Sequence, residues 1–481
     1  MPDPRLNKVL RDLWLNKSRS LLVALSIAVG VCAVGVIFGT RAILTRELQQ
    51  SYLASQPPSA VLGLPPSGDD LVRALERGPD VRVAEGRRLL TVRVQVSATT
   101  WKPLVLQAIP DFTAMRTAIV TRERGAWPPP KRTLSLERAS QSLLGASVGD
   151  RLTIELPNGD RRTLAISGLA HDVTQPSALF TGQAHGYVTF DTLAALGQPR
   201  TYDRLNLIVA HDPLNKAHIQ AVVESLKKRL ERSGITVYWS DVPNPGEHPA
   251  NSVLQPLMLL LGVLGGLSLF LSGLLVANML AALLTQQVKQ IGVMKAVGAR
   301  TGQLAGMYFA AVTLFGLVAL AIAAPLGDLG AIAFSRFIAG LLNTDLKSLA
   351  IPAGVWAAEG LVALIVPLGA ALVPVLRGSR ISVREAIQSH GAAGGHPSGA
   401  IDRLLQRVRG VSRPLLLSLR NTFRRKGRLA LTLITLTLAG AIFVGVLSVN
   451  ASLHKTLDQA LAYWKYDIEV DFAHPERLES I

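Results

Sequence analysis

The chain has 481 residues, 49% of them hydrophobic and 17% charged, with 50 Lys and Arg against 33 Asp and Glu for a formal net charge of +17. Soluble domains carry about 25% charged residues. This composition, with a mean hydropathy of +0.32, excludes a disordered chain, a collagen and a small disulfide scaffold, and points to apolar segments joined to one ordinary folded domain.

Residues 1–19 form a basic lead, with five basic and two acidic side chains, before an apolar run at 20–42. Apolar runs of about 18 residues or more can cross a hydrocarbon layer. This one exceeds the h-region of a signal peptide and has no A-x-A site after it. It therefore reads as a retained first span. Cys32, the only cysteine, lies inside it, which leaves the rest of the chain without disulfides or cysteine-based metal sites. Beyond it Leu44, Leu48 and Tyr52 fall on one helical face, so the helix is expected to continue outward as a stalk.

Residues 43–252 are mixed in polarity and read as an α+β domain. Leu90, Val92, Val94 and Val96 alternate with polar residues, the pattern of a half-buried strand. Leu152, Ile154 and Leu156, a Pro157-Asn158-Gly159 turn, then Leu164 and Ile166 predict a hairpin. Helices are expected over 134–144 and 218–230, and short strands over 187–190 and 205–209. The histidines are scattered: no HExxH, GxSxG or metal-spaced pair occurs. His171-Asp172 and His211-Asp212 read as loop-end polar pairs. No catalytic, cofactor or metal site is assigned.

Further spans are predicted at 253–284, 304–327, 353–376 and 429–449. They are joined by a short loop at 285–303, a segment at 328–352 and a linker at 377–428, and followed by 450–481. The loop at 285–303 holds Lys289, Lys295 and Arg300 without an acid, and the linker holds twelve basic residues against Glu385 and Asp402. With the lead, these segments carry +16 of the net +17. Positive segments stay inside, so 1–19, 285–303 and 377–428 are expected in the cytoplasm, and 43–252, 328–352 and 450–481 outside. The charges flank spans and lack interleaved aromatics, so they speak for anionic lipid headgroups rather than nucleic acid.

The beginning of the chain recurs at an offset of 409. Leu10-Arg11, Lys17 and Arg19 return as Leu419-Arg420, Lys426 and Arg428, and the stalk face returns as Leu453, Leu457 and Leu461. Parallel repeats are common in transporters. The second unit has barely begun at Ile481, so the sequence is expected to be part of a chain of roughly 800 residues.

Three stretches carry a family resemblance: the loop Gln286-Gln-Val-Lys-Gln-Ile-Gly-Val-Met-Lys-Ala-Val-Gly-Ala-Arg300; the end of the fourth span, Pro374-Val-Leu-Arg-Gly-Ser-Arg-Ile-Ser-Val-Arg-Glu-Ala-Ile387; and Val148-Gly-Asp-Arg-Leu-Thr-Ile-Glu-Leu, followed after a turn by Ile166-Ser-Gly168. Together with one span, a large external domain and three more spans, they resemble the FtsX/MacB-type ABC transporter permeases, in the long form with two fused units. Gln290 departs from the Glu usual before Ile-Gly.

The resemblance implies a bacterial inner-membrane permease subunit. It would carry ATP-driven motion from a cytoplasmic ABC ATPase, a dimer, to external domains that export or extract a lipid, lipoprotein, peptide or drug. No GxxxxGK[ST] loop occurs, so ATP and Mg²⁺ are expected on the partner. The loop would be the coupling element: Val288, Ile291, Met294 and Val297 recur every three residues as an apolar ridge, flanked by Lys289, Lys295 and Arg300. The ridge could seat in an ATPase groove or lie on the inner membrane surface. The pattern alone favours the membrane, the resemblance the ATPase. Met294 and Val297 are the positions where Asp would break that seat. Gly292 and Gly298 would permit a close approach or a turn, and Arg377, Arg380 and Arg384 would add ATPase contacts or simply anchor the span.

Gly35-x-x-x-Gly39 and Gly262-x-x-x-Gly266 allow close helix packing, read here as packing within one unit. Glu359, near the outer end of the fourth span, is a functional candidate by its position, with snorkelling to headgroups as the favoured alternative. Two rival functions remain: a transmembrane regulator of an external enzyme, needing an extracytoplasmic protein partner, and a membrane-anchored receptor or scaffold without an ATPase.

Overall fold

The computed structural model describes Arg11 and residues 17–175, 177–388 and 426–463. Helix α1 (Lys17–Ala54) leads into a mixed domain of β1 (Ala60–Ser67), α2 (Asp69–Glu76), β2 (Val81–Gln95), β3 (Trp101–Ile109), β4 (Thr121–Gly125), β5 (Thr133–Glu137), α3 (Ser140–Leu144), β6 (Arg151–Glu155), β7 (Arg161–His171), α4 (Ala178–Thr181), β8 (Ala184–Thr189), α5 (Phe190–Ala195), β9 (Tyr202–Val209), α6 (Lys216–Arg232) and β10 (Trp239–Asp241). Helices α7 (Asn251–Gln286), α8 (Val288–Ala296), α9 (Thr301–Leu341), α10 (Ala353–Ser379), α11 (Val383–Gln388) and α12 (Lys426–Tyr463) follow. Among the described residues, α1, α7, α9, α10 and α12 are long and apolar enough to cross a membrane. The chain is thus a multi-pass membrane protein with an α+β domain between its first and second candidate spans.

It divides into two units. Among the described residues the helical unit draws on 17–43, 256–335 and 349–452, the mixed unit on 44–255, 336–348 and 453–463. In the helical unit Val23, Ile27 and Val31 of α1 join one core with Val276, Leu280 and Leu284 of α7, Tyr308, Val312 and Phe315 of α9, and Ala363, Ala371 and Val375 of α10. Spacings of three, four and eight put each set on one stripe of its helix. Alanine and glycine let the backbones come close, as expected where lipid gives no hydrophobic push between helices. A Cβ at Gly39 would stand 2.7 Å from the Ala331 Cβ, while Gly262 and Gly266 face no neighbour among the described residues and Gly265 packs on Ile37 instead. The first glycine pair is therefore a packing motif within the unit; the second is not. Helices α1 and α12 are both 38 residues long, with bounds 409 apart, the offset of the sequence repeat.

Helices α1, α9 and α12 run well beyond the expected spans. Helix α1 continues to Ala54, with Leu44, Leu48 and Tyr52 on one buried face. The side chains of Leu453, Leu457 and Leu461 and most of the basic linker lie outside the described residues. Helix α9 runs to Leu341, so much of the expected loop at 328–352 is helical. Its stop is Asn343, in the left-handed region at φ 56°. There Thr344 N–H donates to Ala339 O at 2.9 Å and Asn343 N–H to Gly340 O, the paired bonds of a Schellman cap.

The ten strands form one sheet in the order β10-β1-β9-β2-β3-β8-β5-β7-β4, with β6 bridging β2 and β7. Strand β2 serves two cores. Val81 to Arg87 pair with β9, and Arg88 to Gln95 pair with β3. The first half joins Leu62, Leu205, Ile219 and Leu226; the second joins Leu104, Leu134, Ile154 and Leu164. The expected hairpin is β6–β7, with Gly159 at φ +84° in its turn. The expected helix over 134–144 is corrected: residues 133–137 are strand β5, and only Ser140–Leu144 is helical. Pairing with β7 on one side and β8 on the other overrides the local helical pattern, as tertiary context often does.

A charged group is buried where β2 passes between the cores. Arg87, 1% exposed, pairs with Glu85 at 2.9 Å and donates to Thr117 O at 2.8 Å. Glu85 also accepts from the Arg116 and Thr117 backbone N–H groups at 3.0 and 2.9 Å. Removing one member of a buried pair strands the other. Arg87→Ala is therefore expected to destabilise the mixed unit by about 3 kcal/mol or more, read as a lowered unfolding midpoint.

Two histidines are held neutral by burial. His248 donates from Nε2 to Val173 O at 3.1 Å and accepts the Ala250 N–H on Nδ1 at 3.0 Å, so both ring nitrogens are committed. Burial pushes the pKa of His248 and of His185 down. The unfolded chain then binds more protons than the folded one below about pH 6.5. Stability is full above that value and is lost as pH falls toward the lowered pKa, by up to about 1.4 kcal/mol per group per pH unit. Unfolding midpoints measured across that range should fall on acidification, and His185→Gln should remove its share of the slope.

Candidate functional site

The loop singled out in the sequence is built around a sharp break. Helix α7 ends at Gln286 and α8 starts at Val288, with Gln287 between them held by a 2.7 Å hydrogen bond from the Tyr308 hydroxyl. Helix α8 is stopped by Gly298 at φ +105°. Ala299 N–H donates to Met294 O and Gly298 N–H to Lys295 O, at 2.9 and 3.0 Å. Only glycine adopts that conformation without a Cβ penalty. Helix α11 opens on a capping box: the Glu385 N–H donates to Ser382 Oγ at 3.2 Å, and Glu385 Oε2 accepts from the Ser382 N–H at 3.3 Å.

These two short helices pack together. A Cβ at Gly292 would stand 2.5 Å from Ala386 Cβ, so Gly292 provides the close approach and Gly298 the turn. Lys295 Nζ donates to Ile381 O at 2.8 Å. Lys295 thus fastens α8 to the α10–α11 connection rather than flanking an open ridge.

The orientation of α8 corrects the expected ridge. Ile291 is fully buried in the helical core, and Met294 is half-buried against it. Val288 lines a cleft of about 340 Å³ with Pro374, Arg377 and Ile381. Of the four, Val297 alone is open, at 86% exposure, and it is joined on the surface by Val293 at 63%, which the three-residue pattern passed over. A nine-residue helix anchored by Ile291 and Gly292 turns 289, 290, 293 and 297 outward, the i, i+3/i+4 set of its opposite face. Lys289, Gln290 and Arg300 are exposed beside them, as are Arg377, Arg380 and Arg384. The outer face is therefore two valines within a basic field.

A second cluster, in the mixed unit, was not legible as a site. The loop after α9 is held by polar groups of the sheet. Arg138 Nε donates to Asn343 Oδ1 at 2.7 Å, its Nη2 to Asn343 O at 3.0 Å, and its Nη1 to Asp345 Oδ1 at 2.8 Å. Asn343 Nδ2 donates to buried Glu137 at 2.6 Å. His171 lies 3.8 Å from both Glu137 and Asp345. Four residues on, Glu47 Oε2 accepts the Lys347 and Ser348 N–H groups at 2.7 and 3.1 Å. His171 and Asp172 stand where β7 meets the following loop, as the sequence suggested, and Asp172 accepts the Thr174 N–H at 2.8 Å. His171 closes β7, and Asp172 is buried, accepting the Tyr187 hydroxyl at 2.8 Å, with its pKa raised by that burial. The one sequence signal was Asn343, a residue tolerant of the left-handed region at a helix C-terminus. Among the described residues no group of three or more His, Cys, Asp or Glu could hold a metal ion.

Candidate membrane spans lie on either side of this short, firmly seated and outwardly basic helix. Residues 262–383, which contain that helix, match the FtsX-like permease C-terminal family, and the chain therefore carries an FtsX-like permease domain, as its motifs indicated. No curated protein matches the sequence significantly. Among solved structures the chain is similar to the extracellular domain of the noncanonical ABC-type transporter YknZ from Gram-positive bacteria, at 10% identity over 37% of this chain and 98% of that one with a TM-score of 0.25. It is also similar to the periplasmic region of MacB from Actinobacillus actinomycetemcomitans, at 8% identity over 44% and 97% with a TM-score of 0.26.

The clasp on the loop after α9 is testable. Glu47→Ala removes the acceptor of two backbone N–H groups, hydrogen bonds of the charged kind worth about 1.5–3 kcal/mol. The Lys347 and Ser348 amides should then exchange at least about tenfold faster in hydrogen-exchange mass spectrometry.

Proposed function

We propose that the chain is the permease subunit of an ABC-type complex in a bacterial cytoplasmic membrane, with the N-terminus and α8 inside. It transmits motion from a separate cytoplasmic ATPase to external domains that export or extract a lipid, lipoprotein, peptide or drug. The observation that carries this reading is the build of α8. Its inner face is locked by Ile291, by Gly292 on Ala386 and by Lys295 on Ile381, so a push on its outer face is not absorbed by a flexible loop. Exposed apolar side chains on a short helix suit a groove in a partner, and the basic side chains around them suit an acidic rim. A helix lying on lipid would instead turn its apolar ridge outward, whereas Ile291 is buried. The long helices α7 and α9, which enter and leave this element, run for 36 and 41 residues with Pro256 and Pro325 inside them, and their length suits them to carry a displacement.

The mutational target moves with the orientation. Val293→Asp with Val297→Asp puts two charges on the outer face and leaves the buried face untouched. The expected outcome is loss of a co-purifying nucleotide-binding protein in detergent, with unchanged membrane insertion. Undiminished co-purification would remove the coupling role of α8. Met294→Asp, by contrast, should lower the yield of folded protein, because that side chain packs on the core.

A further inference from the structure

Glu359, on α10, does not snorkel. It is fully buried, and neither carboxyl oxygen has a hydrogen-bond partner among the described residues. The group occupies a notch made by two glycines on neighbouring helices. A Cβ at Gly35 of α1 would collide with its Oε1, and one at Gly327 of α9 would come within 2.8 Å of the same atom. A Cβ at Gly35 would also lie 3.3 Å from Gly327 Cα, so the two backbones close over the carboxyl. One turn along α1, Gly39 on Ala331 and the Thr40 hydroxyl on Ala331 O at 3.4 Å continue the contact. The titratable groups that face Glu359 are Cys32 on α1 and Asp328 on α9. Asp328 is itself engaged by Trp356 Nε1 at 3.2 Å. None of these supplies a positive charge, and α7 carries no charged residue between 254 and 284.

An ionised carboxylate buried in that notch would face no cation among the described residues, and a buried charge without a partner is strongly unfavourable. Tight packing of the three helices and a charge on Glu359 therefore exclude each other. We propose that Glu359 is a proton-binding site of the helical unit: α1, α9 and α10 close around the neutral carboxyl, and their separation hands its proton to water. On separation the O–H bond breaks, the proton goes to solvent and the carboxylate is hydrated. Binding and closure are linked reciprocally, so acid favours the closed bundle and any agent that parts the helices expels a proton. This stands whether or not an ATPase drives the separation.

Cys32, the only cysteine in the chain, faces the site and reports on closure without an engineered probe. The full-length protein in liposomes is alkylated with membrane-permeant N-ethylmaleimide between about pH 5 and about pH 8, in wild type, Glu359→Gln and Gly35→Ala. Thiol reactivity itself rises with pH, so the readout is the ratio of wild-type to Glu359→Gln rates. That ratio should be near one at the acid end and rise with pH, by up to about tenfold per unit for one linked proton. A flat ratio overturns the proposal. Gly35→Ala drives the carboxyl from its notch while keeping it in the chain. Its rate relative to wild type should be high in acid and approach one as pH rises, which keeps the test open if Glu359→Gln fails to reach the membrane; a ratio of one throughout also overturns the proposal. A wild-type rate that follows sodium against choline rather than pH would assign the notch to a metal cation and overturn it as well.

Discussion

Where hydrocarbon surrounds a chain, every backbone group must find its partner within the chain, and the ends of helices are where that fails. This constraint places the features that matter here. Helix α8 exists because the chain must turn back between two long rods. Gly298 satisfies the carbonyls left at its end, and the Ser382–Glu385 box satisfies the amides that open α11. Asn343 does the same for α9, and its side chain then reaches Glu137 and Arg138. The polar contacts around α8 and around the loop after α9 thus gather at helix termini.

The packing of those rods follows from the same scarcity. Lipid tails are as apolar as leucine, so helices gain by fitting closely rather than by escaping solvent. Gly35, Gly39, Gly327 and Gly292 each stand where another backbone or side chain comes too near for a Cβ. An unpaired acid in such a setting needs the fit around it to be close in shape and neutral in charge. Glu359 meets the first demand by geometry and the second by keeping its proton.

Much of this was legible in the sequence. Span number, the mixed domain and the hairpin at Asn158-Gly159 follow from run length, charge bias and period-two alternation, which are local signals. The loop at 285–303 stood out by its motif, and the family match covers it. What failed was orientation. A three-residue ridge on Val288, Ile291, Met294 and Val297 is compatible with facing either way, and the anchor that decides it, Ala386 against Gly292, lies far along the chain. The strand at 133–137 was missed for the same reason: its partners, β7 and β8, come later in the chain. Glu359 stands out in the sequence as an intramembrane acid, but depth along its helix does not decide its fate, which is set by the absence of side chains at 35 and 327.

The double service of β2 has a consequence for biosynthesis. Strands β2 to β8, with α5, complete the larger core by Leu196, so that core can close while the ribosome is still making the remainder. The smaller core cannot. Its strand β9 must slide between β1 and β2, which have waited while the whole of the larger core was made, and α6 then seals it. Late insertion of a central strand between two early ones is costly in loop closure and exposes unpaired edges meanwhile. In chain order every strand partner of the β2 half that pairs with β3 is made before β9, so that half can serve as the template on which the second core is laid down.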